Sequence, residues 1–421
     1  MNIEEKLNYC LNCKTKPCTK GCPLENDIPE IIKLMKKEKY HEAYDALTLT
    51  NVLPSICGRI CPYNKQCEGK CTRKITGLPV DIGKIEKELG DLALENNYEM
   101  KKFDDYEDNK KKNINVAVIG AGPAGLSCAA FLARNGINVT IFEKHNEPGG
   151  LLAHGIPEFR LNTFILNSSI NHILDLGVSI KYNCELGKDI TLSELQNNYN
   201  AVFLGIGANI SATMDIEGER LAGVYGANEL LEYSKNLSYK GKNIAVIGGG
   251  NVAIDMARTA KRKGAEDVYI IYRRSEKEMP AEKNEIEEAK RDGVKFLFQN
   301  NIIKIIDHNE KAGQVTKIEC IKTEPVRKEG TDREIPVNIE NSNYFINVNM
   351  VIMAIGSKVE QEIIKKCNLD VNKRGYVYID DNQMTSECNV FAGGDLVGIN
   401  STVAWAQRSG RDAGEKILKM L

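Results

Sequence analysis

The stretch from Val116 to Gly125, reading Val-Ala-Val-Ile-Gly-Ala-Gly-Pro-Ala-Gly, constrains the fold of this chain more than any other. Four apolar residues suit a buried parallel strand. Gly120 opens a tight turn, Gly122 lets the backbone approach a pyrophosphate, and Gly125 lets the next helix pack close. A glycine turn alone is a weak signal, but here Leu126 to Leu132 reads as a helix and Val139 to Phe142 as a second strand ending at Glu143. That places an acid roughly 20 residues past the turn, where a carboxylate accepts hydrogen bonds from an adenosine ribose. The expectation is an α/β dinucleotide site that uses Gly120, Gly122, Pro123, Ala124, Gly125, Glu143 and the adjoining Lys144.

A second turn repeats the pattern at Ile244-Ala-Val-Ile-Gly-Gly-Gly-Asn-Val-Ala253. Ala253 stands where the third glycine would be, an accepted variant. Gly248, Gly250, Asn251 and Val252 are the candidate binding residues. The strand that follows, Val268 to Tyr272, ends in Arg273-Arg274 and not in an acid. Arginine's fork of donors matches a ribose 2′-phosphate, so this turn is expected to prefer NADP(H) over NAD(H).

Between the turns, Glu147 to Leu161 is dense in glycine and proline and reads as an ordered loop beside the first cofactor. Gly150, Leu151, His154 and Arg160 are its candidate contacts. A lone loop histidine has no chemical role as readily as it has one, so His154 is either a polar neighbour of a flavin ring or a bystander. Near the end, Val390-Phe-Ala-Gly-Gly-Asp395 places an acid after a strand and two glycines. Gly394 and Asp395 are expected to meet a ribityl or pyrophosphate-linked hydroxyl, with the helix starting at Thr402 and Val403 directing its N-terminus at the same ligand. Glu276 to Asp292 reads as a charged surface helix. Val294 to Phe298, Ile302 to Ile306, Val315 to Ile321 and Tyr344 to Val348 read as strands completing the second nucleotide fold. Met350 to Gly356 reads as a strand and small-residue turn where the chain crosses between domains, with Gly356 at the second nucleotide.

The chain of 421 residues is long enough for two or three domains, and 56 Lys and Arg balance 58 Asp and Glu. That balance argues against nucleic acid or an anionic membrane as partner. The most apolar run, Val116 to Ala133, reads as buried core and not as a membrane span. Met1 to Asn8 alternates charge without a hydrophobic region, so a cytoplasmic location is expected. Residues 101–112 are almost wholly polar and read as a solvated linker, with no binding role for Lys110 to Lys112.

Of 13 cysteines, eight fall between Cys10 and Cys71. Their pattern is Cys10-x2-Cys13-x4-Cys18-x3-Cys22-Pro23, then Cys57-x3-Cys61-Pro62-x4-Cys67-x3-Cys71, separated by a stretch of helical periodicity. Clustered thiols in a reducing compartment point to metal in preference to disulfides. The count alone suits iron–sulfur clusters or zinc. The two cysteine-proline endings favour iron–sulfur, because in two-cluster ferredoxins the cysteine before proline ligates the other cluster. Cys128, Cys184, Cys320, Cys367 and Cys388 are scattered and read as ordinary core or surface residues.

Cysteine segment, first turn, Gly-Gly-Leu-Leu-x-x-Gly-Ile-Pro-x-Phe loop, second turn with Arg-Arg, and Gly-Gly-Asp, in that order, resemble the glutamate synthase small (beta) subunit family over essentially the whole chain. The same module resembles the N-terminal part of dihydropyrimidine dehydrogenase and the large subunit of bifurcating NADH-dependent ferredoxin:NADP oxidoreductase. The resemblance implies that Cys10, Cys13, Cys18 and Cys71 hold one [4Fe-4S] cluster. It implies a second held by Cys22, Cys61, Cys67 and a non-cysteine ligand, assigned to Glu86, which leaves Cys57 outside both sets. It further implies a helical two-cluster domain (1–100), an FAD-binding domain in two pieces (113–237 and 349–421) and an inserted NADPH-binding domain (238–348). Two positions depart from the family: His154, where tyrosine is common, and Asn162, where proline is usual.

The implied activity is hydride transfer from NADPH to FAD, which needs geometry and no catalytic acid or base on the protein. Single electrons would then pass through two [4Fe-4S] clusters to a larger partner subunit for glutamate synthesis. The bifurcating and pyrimidine-reducing systems are the alternatives within this module. A zinc-stabilised docking domain on a flavoprotein is the alternative of another class.

Overall fold

The computed structural model describes residues 2–103, 113–233, 237–307, 313–327 and 334–421; most of the polar linker, including Lys110 to Lys112, lies outside the described residues. The chain forms two compact units. One contains Met1–His154, Glu158–Ala208 and Val359–Leu421; the other contains Gly155–Pro157 and Asn209–Lys358.

The first unit begins with short helices at Ile3–Tyr9, Pro17–Gly21, Ile28–Met35, Tyr40–Thr48 and Pro54–Ile60, then a longer one at Ile82–Glu95. Ile28–Met35 starts where the Asp27 side chain accepts from the Glu30 N–H, with Pro29 in its first turn. It buries Ile28, Ile31, Ile32 and Met35, the apolar positions spaced for one helix face. Pro54–Ile60 and Ile82–Glu95 cross with their backbones in contact. A Cβ on Gly58 would lie 2.3 Å from the Lys87 nitrogen, and one on Gly90 would lie 2.5 Å from the Ser55 nitrogen. Arg59 ties the pair with two hydrogen bonds to Asp91, at 2.7 and 2.8 Å. The tight crossing sets Glu86 beside Cys61.

The same unit contains a parallel sheet in the order Val390–Ala392, Ala201–Leu204, Asn115–Ile119, Asn138–Phe142, Ser179–Lys181. Val116 to Ile119 are buried, as a strand covered on both faces requires. Helices Pro123–Arg134 and Val403–Met420 pack together against it. The second of these starts at Thr402, whose hydroxyl accepts from the Trp405 N–H.

The second unit has its own parallel sheet, in the order Val224–Gly226, Met350–Met353, Asn243–Ile247, Asp267–Tyr272, Lys295–Phe298. Beside it lies an antiparallel sheet of Asn300–Asp307, Val315–Arg327, Glu334–Asn338 and Tyr344–Asn347. The molecule is thus a helical segment followed by two Rossmann-like α/β folds. No helix among the described residues is long and apolar enough to cross a membrane.

Three features differ from the sequence expectation. Ile302 to Ile306, Val315 to Ile321 and Tyr344 to Val348 do not extend the nucleotide sheet; short connections favour antiparallel pairing, whereas a parallel strand needs a long crossover. Met350–Met353 is an inner strand of the second sheet, paired with Ile244–Ile247, and the chain leaves that unit only after Lys358. The compact units therefore divide near residues 208 and 358, outside the segment 238–348 read from the sequence. Finally, Glu276 to Asp292 is two pieces, Glu276–Glu278 and Lys283–Arg291, separated around Pro280, which has no N–H for a helix interior. Its acids are not simply solvated: buried Arg258 bonds Glu285, Glu288 and Asp292 at 2.6, 2.5 and 2.9 Å.

Candidate functional site

At the first turn Gly120 has φ +95°, in the left-handed region, and Gly125 sits so tightly that a Cβ would fall 1.9 Å from the Gly120 carbonyl oxygen. Gly122 is the opposite case, with no atom within 4 Å of where its Cβ would stand. Open space therefore lies over the start of helix Pro123–Arg134, where the first backbone N–H groups lack intrahelical partners. Glu143 is nearly fully buried. Its Oε2 accepts from the Ala121 N–H at 2.8 Å and its Oε1 from the His145 N–H at 2.9 Å. The carboxylate is pinned to the turn with acceptor capacity left on both oxygens, which fits a pair of ribose hydroxyls.

The glycine loop folds back on this turn. Gly149 donates its N–H to the Ala121 carbonyl at 2.9 Å, and a Cβ on Gly150 would lie 3.0 Å from the Gly122 Cα. Leu151 opens the short helix Leu151–His154. The His154 ring packs on His145 with centroids 4.4 Å apart, its Nδ1 3.7 Å from Glu147. Lys144 and Arg160 are half-buried nearby in sequence. Gly394 also reaches the turn: a Cβ there would lie 3.0 Å from the Ala124 Cβ. Next to it, Asp395 buries Oδ1 without a hydrogen-bond partner among the described residues. Burial raises its pKa, partly opposed by a hydrogen bond from Ser401. An unsatisfied buried acceptor fits a site completed by a ligand hydroxyl.

The second turn has the same skeleton and a different lining. Gly248 has φ +135° and would carry a Cβ 2.2 Å from the Ala354 carbonyl oxygen, while Gly250 again faces open space. The Asn251 side chain accepts from the Glu282 N–H at 3.1 Å, which anchors the segment after Pro280; Val252 is exposed. Gly356 is exposed, with φ +126°. At the end of strand Asp267–Tyr272, Arg273 is exposed and Arg274 half-buried, its Nη1 3.6 Å from Glu278. Cations thus stand where the first fold holds a carboxylate.

All eight clustered cysteines are free thiols. Cys10, Cys13, Cys18 and Cys71 line one pocket, with Ile28, Ile32 and Val80 among its apolar walls. Burial, with smaller contributions from Cys10 and Cys71, pushes the Cys18 thiol up to about 11. Cys22, Cys61, Cys67 and Glu86 form a second group. Burial and then Glu86 raise Cys22 to about 12. Cys61 is raised by its hydrogen bond with Cys57 and by burial, and Cys67 by burial and by Glu86. Such a group cannot ionise together without a positive centre, so its donors fit a metal cluster. No three His, Cys, Asp or Glu among the described residues converge closely enough to hold a single ion.

Glu86 keeps some accessible surface, but its carboxyl group is enclosed and burial raises its pKa to about 8. Asn26 and Asn51, both buried, donate to the same oxygen, Oε1, at 3.1 and 2.5 Å. The Leu53 N–H, which can only donate, keeps the Asn51 amide from turning round. Asn26 Oδ1 accepts from the Thr50 hydroxyl at 2.7 Å, and Asn51 Oδ1 from the Leu53 N–H at 3.0 Å. Sequence reading missed both asparagines. Both stand in connections between helices, where an asparagine is ordinary, so neither carried an advance signal. It also missed Gln407, whose contacts lie 350 residues away at Cys57.

Residues 114–410 match the family described as "Pyridine nucleotide-disulphide oxidoreductase". Residues 2–98 match "Dihydroprymidine dehydrogenase domain II, 4Fe-4S cluster". The chain is 34% identical over 434 residues to "Glutamate synthase [NADPH] small chain" of Escherichia coli (strain K12), covering 99% of this chain and 91% of that one. It is 37% identical over 370 residues to "NADPH-Fe(3+) oxidoreductase subunit beta" of Geobacter sulfurreducens, covering 85% of this chain and 53% of that relative, about half its length. Among solved structures, Mycobacterium tuberculosis FprA in complex with NADPH superposes with a TM-score of 0.63 at 18% identity, over 73% of this chain and 84% of that one, a likeness of fold.

Proposed function

The chain belongs to the pyridine nucleotide-disulphide oxidoreductase family, carrying in addition a 4Fe-4S domain of the dihydropyrimidine dehydrogenase type, and from that premise we propose that it is the electron-input subunit of an NADPH-dependent oxidoreductase complex. The observation that carries this reading is that the cysteine segment and the first nucleotide fold share one compact unit. Helix Val403–Met420 joins them: Arg408 donates to the Pro23 carbonyl at 2.9 Å, and Arg411 to the Leu24 carbonyl at 3.1 Å, both just after Cys22.

When bound, FAD supplies the step from two-electron to one-electron chemistry, since it accepts a hydride from NADPH while 4Fe-4S clusters carry electrons singly. The protein's part is to hold and orient. At the first turn, Gly122 leaves room for a pyrophosphate over the helix N-terminus, Glu143 accepts from the adenosine ribose and Asp395 from a further hydroxyl. Lys144, Gly150, Leu151, His154, Arg160, Thr402 and Val403 border the same ligand. At the second turn, Gly248, Gly250, Asn251, Val252 and Gly356 receive the nicotinamide dinucleotide, and Arg273 and Arg274 its 2′-phosphate. Cys10, Cys13, Cys18 and Cys71 hold one cluster; Cys22, Cys61, Cys67 and Glu86 hold the other. No side chain is needed to move a proton in the hydride step.

The finer proposal is that electrons leave to a glutamate synthase large subunit, a reading supported by near-full-length similarity to a small chain of that enzyme. Mixing the holoprotein with such a subunit should give glutamate from 2-oxoglutarate and glutamine at the expense of NADPH. No glutamate from a mixture with full flavin and iron would reject that partner. A second reading follows from the iron(III) reductase relative, whose shared region is a module in a longer chain. Under it, a catalytic subunit of different chemistry would co-purify from native cells.

A further inference from the structure

The second cysteine group is flanked by a thiol that its ligand set does not use. Cys57 is 1% exposed and precedes Cys61 by one helical turn, the Cys61 N–H donating to the Cys57 carbonyl at 3.1 Å, so the two side chains leave the same face. From helix Val403–Met420, Gln407, fully buried, donates its Nε2 to the Cys57 sulfur at 3.1 Å. Its Oε1 accepts from the Val52 N–H, also at 3.1 Å. The Val52 N–H can only donate, so it fixes which end of the Gln407 amide faces Cys57. The Cys57 sulfur therefore serves as an acceptor toward Gln407, and its one proton is left to point elsewhere. Once Cys61 is a thiolate ligand, it is the acceptor one turn on. With Cys61 a thiolate ligand, the chain would run from the Gln407 N–H to the Cys57 sulfur and from the Cys57 S–H to the Cys61 sulfur.

We propose that Cys57 and Gln407 are positioning residues that set the reduction potential of the cluster held by Cys22, Cys61, Cys67 and Glu86. The proposal rests on the cluster-binding reading of the cysteine segment. A donor aimed at a ligand sulfur stabilises the reduced state, which carries more negative charge, and such hydrogen bonds are among the determinants of cluster potential. Gln407 keeps the donor aimed by occupying the other side of the Cys57 sulfur. Because Gln407 belongs to a helix that also packs on the first nucleotide fold, the aim of that donor is set from the flavin side of the unit.

The test is an EPR-monitored redox titration of the holoprotein. In Cys57→Ala, iron content and both cluster signals should persist. The reduction equilibrium of the second cluster should move about tenfold toward the oxidised form, equivalent to about 59 mV. The first cluster should keep its midpoint. Cys57→Ser retains a donor and should recover most of the shift, a rescue that a packing role would not require. Gln407→Leu should shift the same cluster in the same direction by a smaller factor. Unchanged midpoints in Cys57→Ala with full iron would overturn the proposal. So would loss of one cluster in that variant, which would make Cys57 a ligand. Wild-type protein with zinc and no cluster signal would instead bring down the cluster reading itself, before any variant is compared.

Discussion

The two glycine turns start from nearly the same ten residues and are finished differently. At the first, the acid after the second strand is buried and held by two backbone N–H groups, and an unsatisfied carboxylate oxygen at Asp395 waits in the same unit. At the second, the equivalent strand end carries an exposed Arg273 and a half-buried Arg274. Fixed, enclosed acceptors suit a ligand that stays; accessible cations suit an anionic ligand that arrives by diffusion and leaves again. One skeleton can therefore serve a resident cofactor or an exchanging substrate, according to what terminates its second strand.

The sharpest way to break this comparison is to fill the open space at the first turn. Gly122→Val should fold normally by circular dichroism yet lose flavin affinity on the order of a thousandfold, because the pyrophosphate forfeits several charge-assisted hydrogen bonds of roughly 1.5–3 kcal/mol each. Retained flavin absorbance in the purified variant would show that the ligand lies elsewhere. Gly125→Ala, three residues on, should behave in the opposite way. Its Cβ would strike the Gly120 carbonyl, so a stability loss of about 3 kcal/mol is expected in a denaturant titration, whether or not flavin is present. At the second turn, Arg273→Ser with Arg274→Ser should raise KM for NADPH roughly a hundredfold, at about 1.5 kcal/mol for each lost charged contact, and leave NADH use little changed. Equal losses for both nucleotides would remove the 2′-phosphate from the argument. The smallest effect is expected for Glu143→Gln. One amide oxygen cannot serve both the Ala121 and His145 N–H groups, and flavin binding measured by fluorescence should weaken roughly tenfold.

What could be read from the sequence was whatever the chain encodes within about thirty residues. Each turn with its flanking strand and helix is such a unit, and so is the helical periodicity between the two runs of cysteines. Pairings over longer distances left no local trace. Val224–Gly226 joins the second sheet only through Met350–Met353, and nothing near either strand announces the other. The break at Pro280 was visible in the letters but outweighed by the charge pattern around it. Among the cysteines, spacing pointed to metal, yet the division into a set of four, a set of three completed by Glu86, and an unused Cys57 came from family resemblance and not from the intervals themselves. The asparagines that hold Glu86 and the glutamine that meets Cys57 were illegible for the same reason as the strands. Their roles exist only once distant segments meet.

Gln407 meets Cys57 across 350 residues of chain. During synthesis at roughly 5–20 residues per second, that interval is on the order of 20 to 70 seconds. For that time the second cysteine group has been made but the helix that closes one side of it has not. Over that time these thiols lack the side of their enclosure that helix Val403–Met420 supplies. Conditions that slow cluster delivery relative to translation should accordingly raise the share of chains with flavin in place and iron missing from that one group.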